Sequence, residues 1–440
     1  MALPAYLAQS QPTPASARAP WYLNTAPSYA GVFLWIAFYQ SMAAGTIDRA
    51  PWFWLIGALL AAGVLSYALF YYVPATLGMK TGYPLYVVGS STFGALGGYL
   101  MPGLLMGGLQ IGWFAVGTFF STKYILAAAG SAAGPGSMPF LAVATLWALT
   151  MGTIGILGIQ YVARVSLFLN AIPLLMLLIT FSQTSRGIEA YSPPSSDLLG
   201  ASMTIIQLVI GFFATAGAAG ADFGMGMRHE HDVRWGGLVG VTGAITVAGA
   251  LALLSVIGAK GLNPGLASFQ FDAVVGSLGG ILATAMFALF AVASIVPACF
   301  CAFIAGNSFS TMIPGVSRAR STMAGVVVAL LLAVSGVAEN LAGFFGIVGA
   351  SFGPICGAMA ADWYRCGKQW AGPREGINWA GYGAWAAGFI VGIAPTLGVD
   401  LQPAAIWSFV TGFVVYLGLA QAGLEPRTLA LARAGVSAAR

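Results

Sequence analysis

The chain has 440 residues, 59% of them hydrophobic and only 7% charged, with a formal net charge of +5. Soluble globular domains carry about 25% charged residues, so this composition cannot cover a water-facing surface and marks an integral membrane protein. Long continuous apolar runs argue against a β-barrel, which shows short alternating strands, and the basic residues are scattered between those runs, so the charge reports topology and not nucleic acid.

Met1 to Pro20 forms a polar Pro/Ala/Ser tail without the basic region and apolar core of a secretory signal. Hydropathy and loop punctuation then predict twelve spans, at 28–47, 52–73, 101–126, 138–158, 163–182, 200–221, 235–258, 278–309, 321–337, 341–363, 379–397 and 403–421. Residues 78–100 read as an amphipathic or irregular linker, and residues 259–277 as a second segment that does not cross. With both termini cytoplasmic, thirteen of the 17 Lys and Arg fall inside, and only Arg49, Lys123, Arg186 and Lys260 fall outside. An error in the span count would mix the two sets.

Spans one and six are rich in residues that loosen a helix, at Tyr39-Gln40-Ser41-Met42-Ala43-Ala44-Gly45 and at Phe212 to Gly220. They stand five spans apart, and paired interrupted helices in corresponding positions point to a transporter's midplane site. Span three carries Gly107-Gly108-Leu109-Gln110-Ile111-Gly112-Trp113-Phe114-Ala115-Val116-Gly117. At helical spacing Gln110, Trp113 and Gly117 share a face, while Gly108 and Gly112 form a strip on which a second helix can approach. A buried amide needs a partner, and the neighbouring indole makes a flat, hydrogen-bonding small molecule a fitting one.

Other polar groups point to less. Cys299, Cys301, Cys356 and Cys366 lack zinc-site spacing and read as small buried thiols. Asp48, Asp222 and Asp362 lie near span ends, where a helix-end or loop ion pair is the expectation rather than a proton relay. His229-Glu230-His231-Asp232 reads as a solvated loop beside Arg228 and Arg234, with no metal. No nucleophile–base pair or phosphate cradle stands out, which argues against an enzyme.

The span-three segment resembles the signature of the nucleobase:cation symporter family 1, above all its cytosine-permease branch. Ala216-Gly217 with Ala221-Asp222-Phe223, Pro354-Ile355-Cys356-Gly357 with Ala361-Asp362-Trp363, and Asn378-Trp379 follow in the family's order. The resemblance implies an all-α integral membrane protein with twelve transmembrane helices: a five-plus-five, LeuT-like inverted repeat and two extra C-terminal helices. In this reading residues 1–27 are a cytoplasmic tail, 28–182 and 200–363 the two repeats, 379–421 the additional helices and 422–440 a second cytoplasmic tail.

Carried over residue by residue, Trp113 and Phe213 would stack on the two faces of a heterocycle and Gln110 would bond its edge, with Phe212, Phe38 and Tyr39 completing the wall. The implied function is import of a nucleobase or related planar heterocycle (cytosine, purine, hydantoin or allantoin-like) across the cytoplasmic membrane by cation-coupled alternating access. It implies no cofactor, no nucleic acid and no obligate protein partner. Span eight departs from the family, for Ala293-Ser294-Ile295-Val296-Pro297-Ala298 lacks the expected Asn and second hydroxyl. That leaves Ser294 as the weak candidate for a coupling cation, leaves Na+ and H+ open, and keeps an uncoupled facilitator of the same fold as the alternative, with a substrate-sensing membrane protein behind it.

Overall fold

Backbone breaks inside apolar segments, more than the segments themselves, set the layout. The computed structural model describes residues 3–157 and 159–430, and among these no β-strand forms. Nine helices in the described residues are long and apolar enough to cross a membrane, and the chain is a multi-pass integral membrane protein. Of the remaining expected spans, the fifth runs as Ile159–Thr184, the ninth as Arg318–Val334, and the first is split into Thr25–Phe33 and Ile36–Tyr39. The split lies at Trp35, whose ψ of 134° is extended. Span six runs as Leu198–Ala218 and resumes after Ala219 as Gly220–Gly224. Span eight divides at Ser294 into Gly280–Ala293 and Ile295–Met312.

The helix starts follow local chemistry. Asp197, Ser317 and Asn340 each accept a hydrogen bond from the backbone N–H three residues on, and Asn378 accepts that of Ala380, satisfying donors that a helix leaves free. Span two continues past its expected end to Thr81 and stops where Gly82 adopts a left-handed φ of +73°. The expected linker at 78–100 contains a regular helix, Leu85–Phe93, buried on nearly all sides. Asp222 accepts the Leu85 N–H at 3.3 Å, so this Asp caps a helix instead of making an ion pair.

That helix is tied to the last spans by a buried ionic knot. Arg374 Nη2 lies 2.8 Å from Asp362 and 3.1 Å from Glu425. Ser91 and Thr92 donate to the same Asp362 oxygen, and Arg374 also donates to the Ser91 carbonyl. Tyr416 closes the knot with a 2.8 Å bond to Glu425. Each charge is met from several sides, as burial of charge requires.

The N-terminal tail is not a loose appendage. Trp21 N–H donates to Asp232 at 3.1 Å, Ala19 N–H to Gly226 at 2.8 Å and Arg18 to the Met79 carbonyl at 2.9 Å. Further out, Tyr6 donates to the Ala95 carbonyl at 2.8 Å and packs with Leu7 against Val87 and Met312. The tail therefore laces the ends of spans two, six, seven and eight on one side of the bundle.

Glycine sets several helix contacts at backbone distance. At Gly187, Gly258 and Gly261, where the end of span five meets span seven, an added β-carbon would collide with the carbonyl of Gly258, Thr184 and Gly187 respectively. In span three the expected strip is only half realised: Gly112 is covered by the ring of Phe344, but Gly108 faces open space, and Gly107 instead meets Ser308 and Phe309.

Candidate substrate site

Span three, Leu105–Ala128, carries Gln110 and Trp113, both buried, and Trp113 meets the broken spans one and six. Trp113 is buried, and its Nε1 lies 3.3 Å from the hydroxyl of Thr215 in span six. Four rings surround it. Phe212 meets it edge-on at 5.1 Å and 77°, and Phe344 at 4.8 Å and 82°. Phe345 lies closer to parallel, 5.6 Å away at 35°, and Trp35 is tilted at 5.6 Å and 56°. Edge-to-face contacts of this kind match the quadrupoles of the rings. Gln110 is the polar member of this wall. Its amide nitrogen has only a 3.7 Å contact with the Met106 sulfur, a weak acceptor, so its hydrogen-bonding capacity is largely unspent.

The other residues expected here divide between layers. Consecutive helical residues point about 100° apart, so only one of the adjacent phenylalanines of span six can meet Trp113, and it is Phe212. Phe213 turns away, stacking with Phe33 at 5.6 Å and 27° and leaning on Tyr29. Phe38 stands behind Phe212, 5.0 Å from it. Tyr39 faces elsewhere, toward Phe271 and Phe290, with its hydroxyl unpartnered. Next to it Gln40 accepts from Tyr124 at 3.5 Å and from the Asp272 N–H at 3.2 Å, and Asp272 pairs with Lys123 at 2.6 Å.

Trp35, Thr215, Phe344 and Phe345 were not legible as site residues. Span ten follows span three by more than two hundred residues, and no spacing rule brings Phe344 and Phe345 beside Trp113. Trp35 did carry a signal, an indole one helical turn before the loosened stretch of span one.

A second, smaller feature lies where the breaks of spans one and eight face each other. A cavity of about 10 Å³ is lined by Gly31, Leu34, Trp35, Ile36, Phe290, Ala293, Ser294 and Pro297, with Asn170 and Pro173 of span five, room for one water-sized occupant. Ser294 donates to the Phe290 carbonyl at 2.9 Å, which leaves its oxygen lone pairs available. Pro297 has no N–H, so the Ala293 carbonyl lacks its helical donor. Asn170 rests on Gly31, where a β-carbon would come within 2.6 Å of its amide. Ser294, Asn170 and the Ala293 carbonyl thus bring oxygens to the lining of this cavity, the atom type that hard cations bind. Asn170 supplies polarity that span eight itself lacks.

The His229, His231 and Asp232 side chains converge to within 4.8 Å. Asp232 is fully buried, however, and already meets Arg228 at 3.2 Å, His229 at 3.0 Å and the Trp21 N–H. Its role is to anchor the tail, and the expected solvated loop is in part an internal contact.

No protein family model matches the chain, and no curated protein matches it by sequence. Solved structures do. The chain is similar to Mhp1, a nucleobase-cation-symport-1 family transporter, in a closed conformation with bromovinylhydantoin bound (TM-score 0.70, 16% identity, 96% of each chain covered). An inward-facing conformation of Mhp1 matches with a TM-score of 0.71 at 17% identity, covering 96% of this chain and 95% of that one. A Na+-coupled sialic acid symporter in a substrate-bound outward-open state matches at 0.62 with 14% identity, over 94% and 92%. At these identities the likeness is one of fold, and over nearly its whole length this chain has the fold of those transporters.

Proposed function

We propose that this chain is a secondary transporter that imports a nucleobase or a related planar heterocycle by alternating access, using twelve spans built as a five-plus-five inverted repeat with two helices added. The observation that carries this reading is the aromatic box around Trp113, walled by Phe212 from broken span six and Trp35 from broken span one, with the unspent amide of Gln110 on the same helical face. Rings on both sides of a flat ligand exclude water and tolerate different ring systems. The amide supplies one donor and one acceptor, matching the amide-like edge of a pyrimidine, purine or hydantoin. Mhp1, which shares the fold, is a nucleobase-cation-symport-1 transporter seen with bromovinylhydantoin bound, which supports this class of ligand.

The cavity at Ser294 and Asn170 supports Na+ as the coupling ion. A cation there bridges spans one, five and eight, so its binding energy depends on their relative position, as coupling by differential affinity requires. In proteoliposomes, an imposed sodium gradient should accumulate radiolabelled cytosine, hypoxanthine or hydantoin above the outside concentration. Sodium should also raise the melting temperature of the purified protein, and Ser294→Ala or Asn170→Ala should cut that shift by half or more. Accumulation driven by a proton gradient alone would overturn the sodium assignment. Equilibration without accumulation under either gradient would favour the facilitator, a reading that the apolar side chains of Val296 and Pro297 keep open.

A further inference from the structure

The indole N–H of Trp35 is buried and has no hydrogen-bond partner, in a residue only 8% exposed. The benzo edge of the ring packs on span three: a β-carbon on Gly117 would lie 3.3 Å from Cζ2 and 3.9 Å from Cη2, and the ring centroid lies 5.6 Å from that of Trp113. Gly117 is one helical turn beyond Trp113 on the Gln110 face. Trp35 thus carries an unspent donor, and only a donor, on a ring that is itself a wall of the aromatic box. Trp113 spends its own N–H on Thr215, and Ser294 spends its proton on Phe290.

An orphaned donor inside a protein is costly unless something bound there supplies an acceptor. We propose that Trp35 Nε1–H is a substrate-reading group: the site takes neutral planar heterocycles that present a ring nitrogen or carbonyl oxygen to Trp35, on a different edge from the one that Gln110 bonds. This rests on the transporter reading above and adds to it a second point of polar recognition, from span one. It also gives the extended conformation at Trp35 a purpose, since a continuous helix would place the indole differently. Trp147 in span four and Trp363 in span ten likewise have unpartnered N–H groups, but neither ring contacts Trp113, which makes Trp147 an internal control.

The test replaces Trp35 by 3-benzothienylalanine, which keeps the ring size and exchanges N–H for sulfur. Binding of cytosine, hypoxanthine and hydantoin is followed by thermal shift and by fluorescence titration. The heterocycle that binds the wild type should bind the Trp35→3-benzothienylalanine protein about fivefold to tenfold more weakly, and the same replacement at Trp147 should leave affinity unchanged. Without ligand, the variant should melt no lower than the wild type, because no protein bond is lost. Unchanged affinity, equal losses at Trp35 and Trp147, or a ligand-free variant that melts clearly lower would each overturn the proposal. If none of the three heterocycles binds the wild type, the transporter's substrate class is what fails, and the role of Trp35 falls with it.

Discussion

Trp113→Ala should abolish heterocycle uptake in proteoliposomes while the protein still inserts into the membrane. In the proposed site the indole stacks on the ligand, and losing a stacking partner of this kind costs about 1–3 kcal/mol, which is about tenfold to a hundredfold in affinity. The truncation also leaves a void between Phe212, Phe344 and Phe345, and large-to-small core changes of this type cost about 3–5 kcal/mol of stability. Trp113→Phe separates the two effects, because it keeps a ring in the box and loses only the bond to Thr215. Gln110→Ala should also abolish uptake, but with little change in melting temperature, since the amide's one contact is the 3.7 Å approach to Met106. Normal uptake kinetics in both Trp113→Ala and Gln110→Ala would remove this site from consideration.

Arg374→Ala should be the most destabilising single charge removal in the chain. Asp362 and Arg374 are each about 5% exposed or less as side chains and 2.8 Å apart. Breaking a buried pair from one side leaves the other charge without compensation, at a cost of about 3–5 kcal/mol. Here the removal also strips Glu425 of a partner at 3.1 Å and the Ser91 carbonyl of a donor, so one of the ties between helix Leu85–Phe93 and the last spans is cut. Arg374→Lys should rescue little, because one ammonium nitrogen cannot stand both where Nη1 meets the Ser91 carbonyl and where Nη2 meets Asp362 and Glu425. Replacing the pair together, as Asp362→Asn with Arg374→Met, should recover much of the loss. The check is the melting temperature and the yield of monodisperse protein in detergent. An Arg374→Ala protein as stable as the wild type would show that the knot carries no net stability.

The comparison of sequence with structure turns on what spacing can convey. Hydropathy located the apolar segments because each must match the membrane thickness whatever its neighbours do. The face shared by Gln110 and Trp113 was readable because helical periodicity is local. Phe212 and Phe213 could not be told apart on that basis, since the choice between adjacent residues depends on the rotation of span six against span three. Phe344, Phe345 and Asn170 come from distant spans, and their places follow only from the tertiary fold. Asp362 was read as an ion-pair residue from its position alone, and Arg374 now supplies the partner. Asp222 was read in the same way but caps a helix, because the segment after span two is a packed helix whose first N–H needs an acceptor. Gly108 seemed equivalent to Gly112 by spacing, yet only Gly112 has a ring from span ten against it.

The contact of Gly187, Gly258 and Gly261 bears on how descent with modification would look in this protein. At each of the three positions any side chain would drive one helix off the backbone of the other, and no single compensating change elsewhere restores the fit. Selection would hold these glycines for the fold alone, as it would hold Trp113 for the proposed site. In a set of related sequences the two groups would stand out with equal force, one from contact between main chains and the other from contact with a ligand. Invariance alone could not rank them. A substitution survey that scores membrane abundance and transport separately would part them, with the glycines failing on the first measure and Gln110→Ala only on the second.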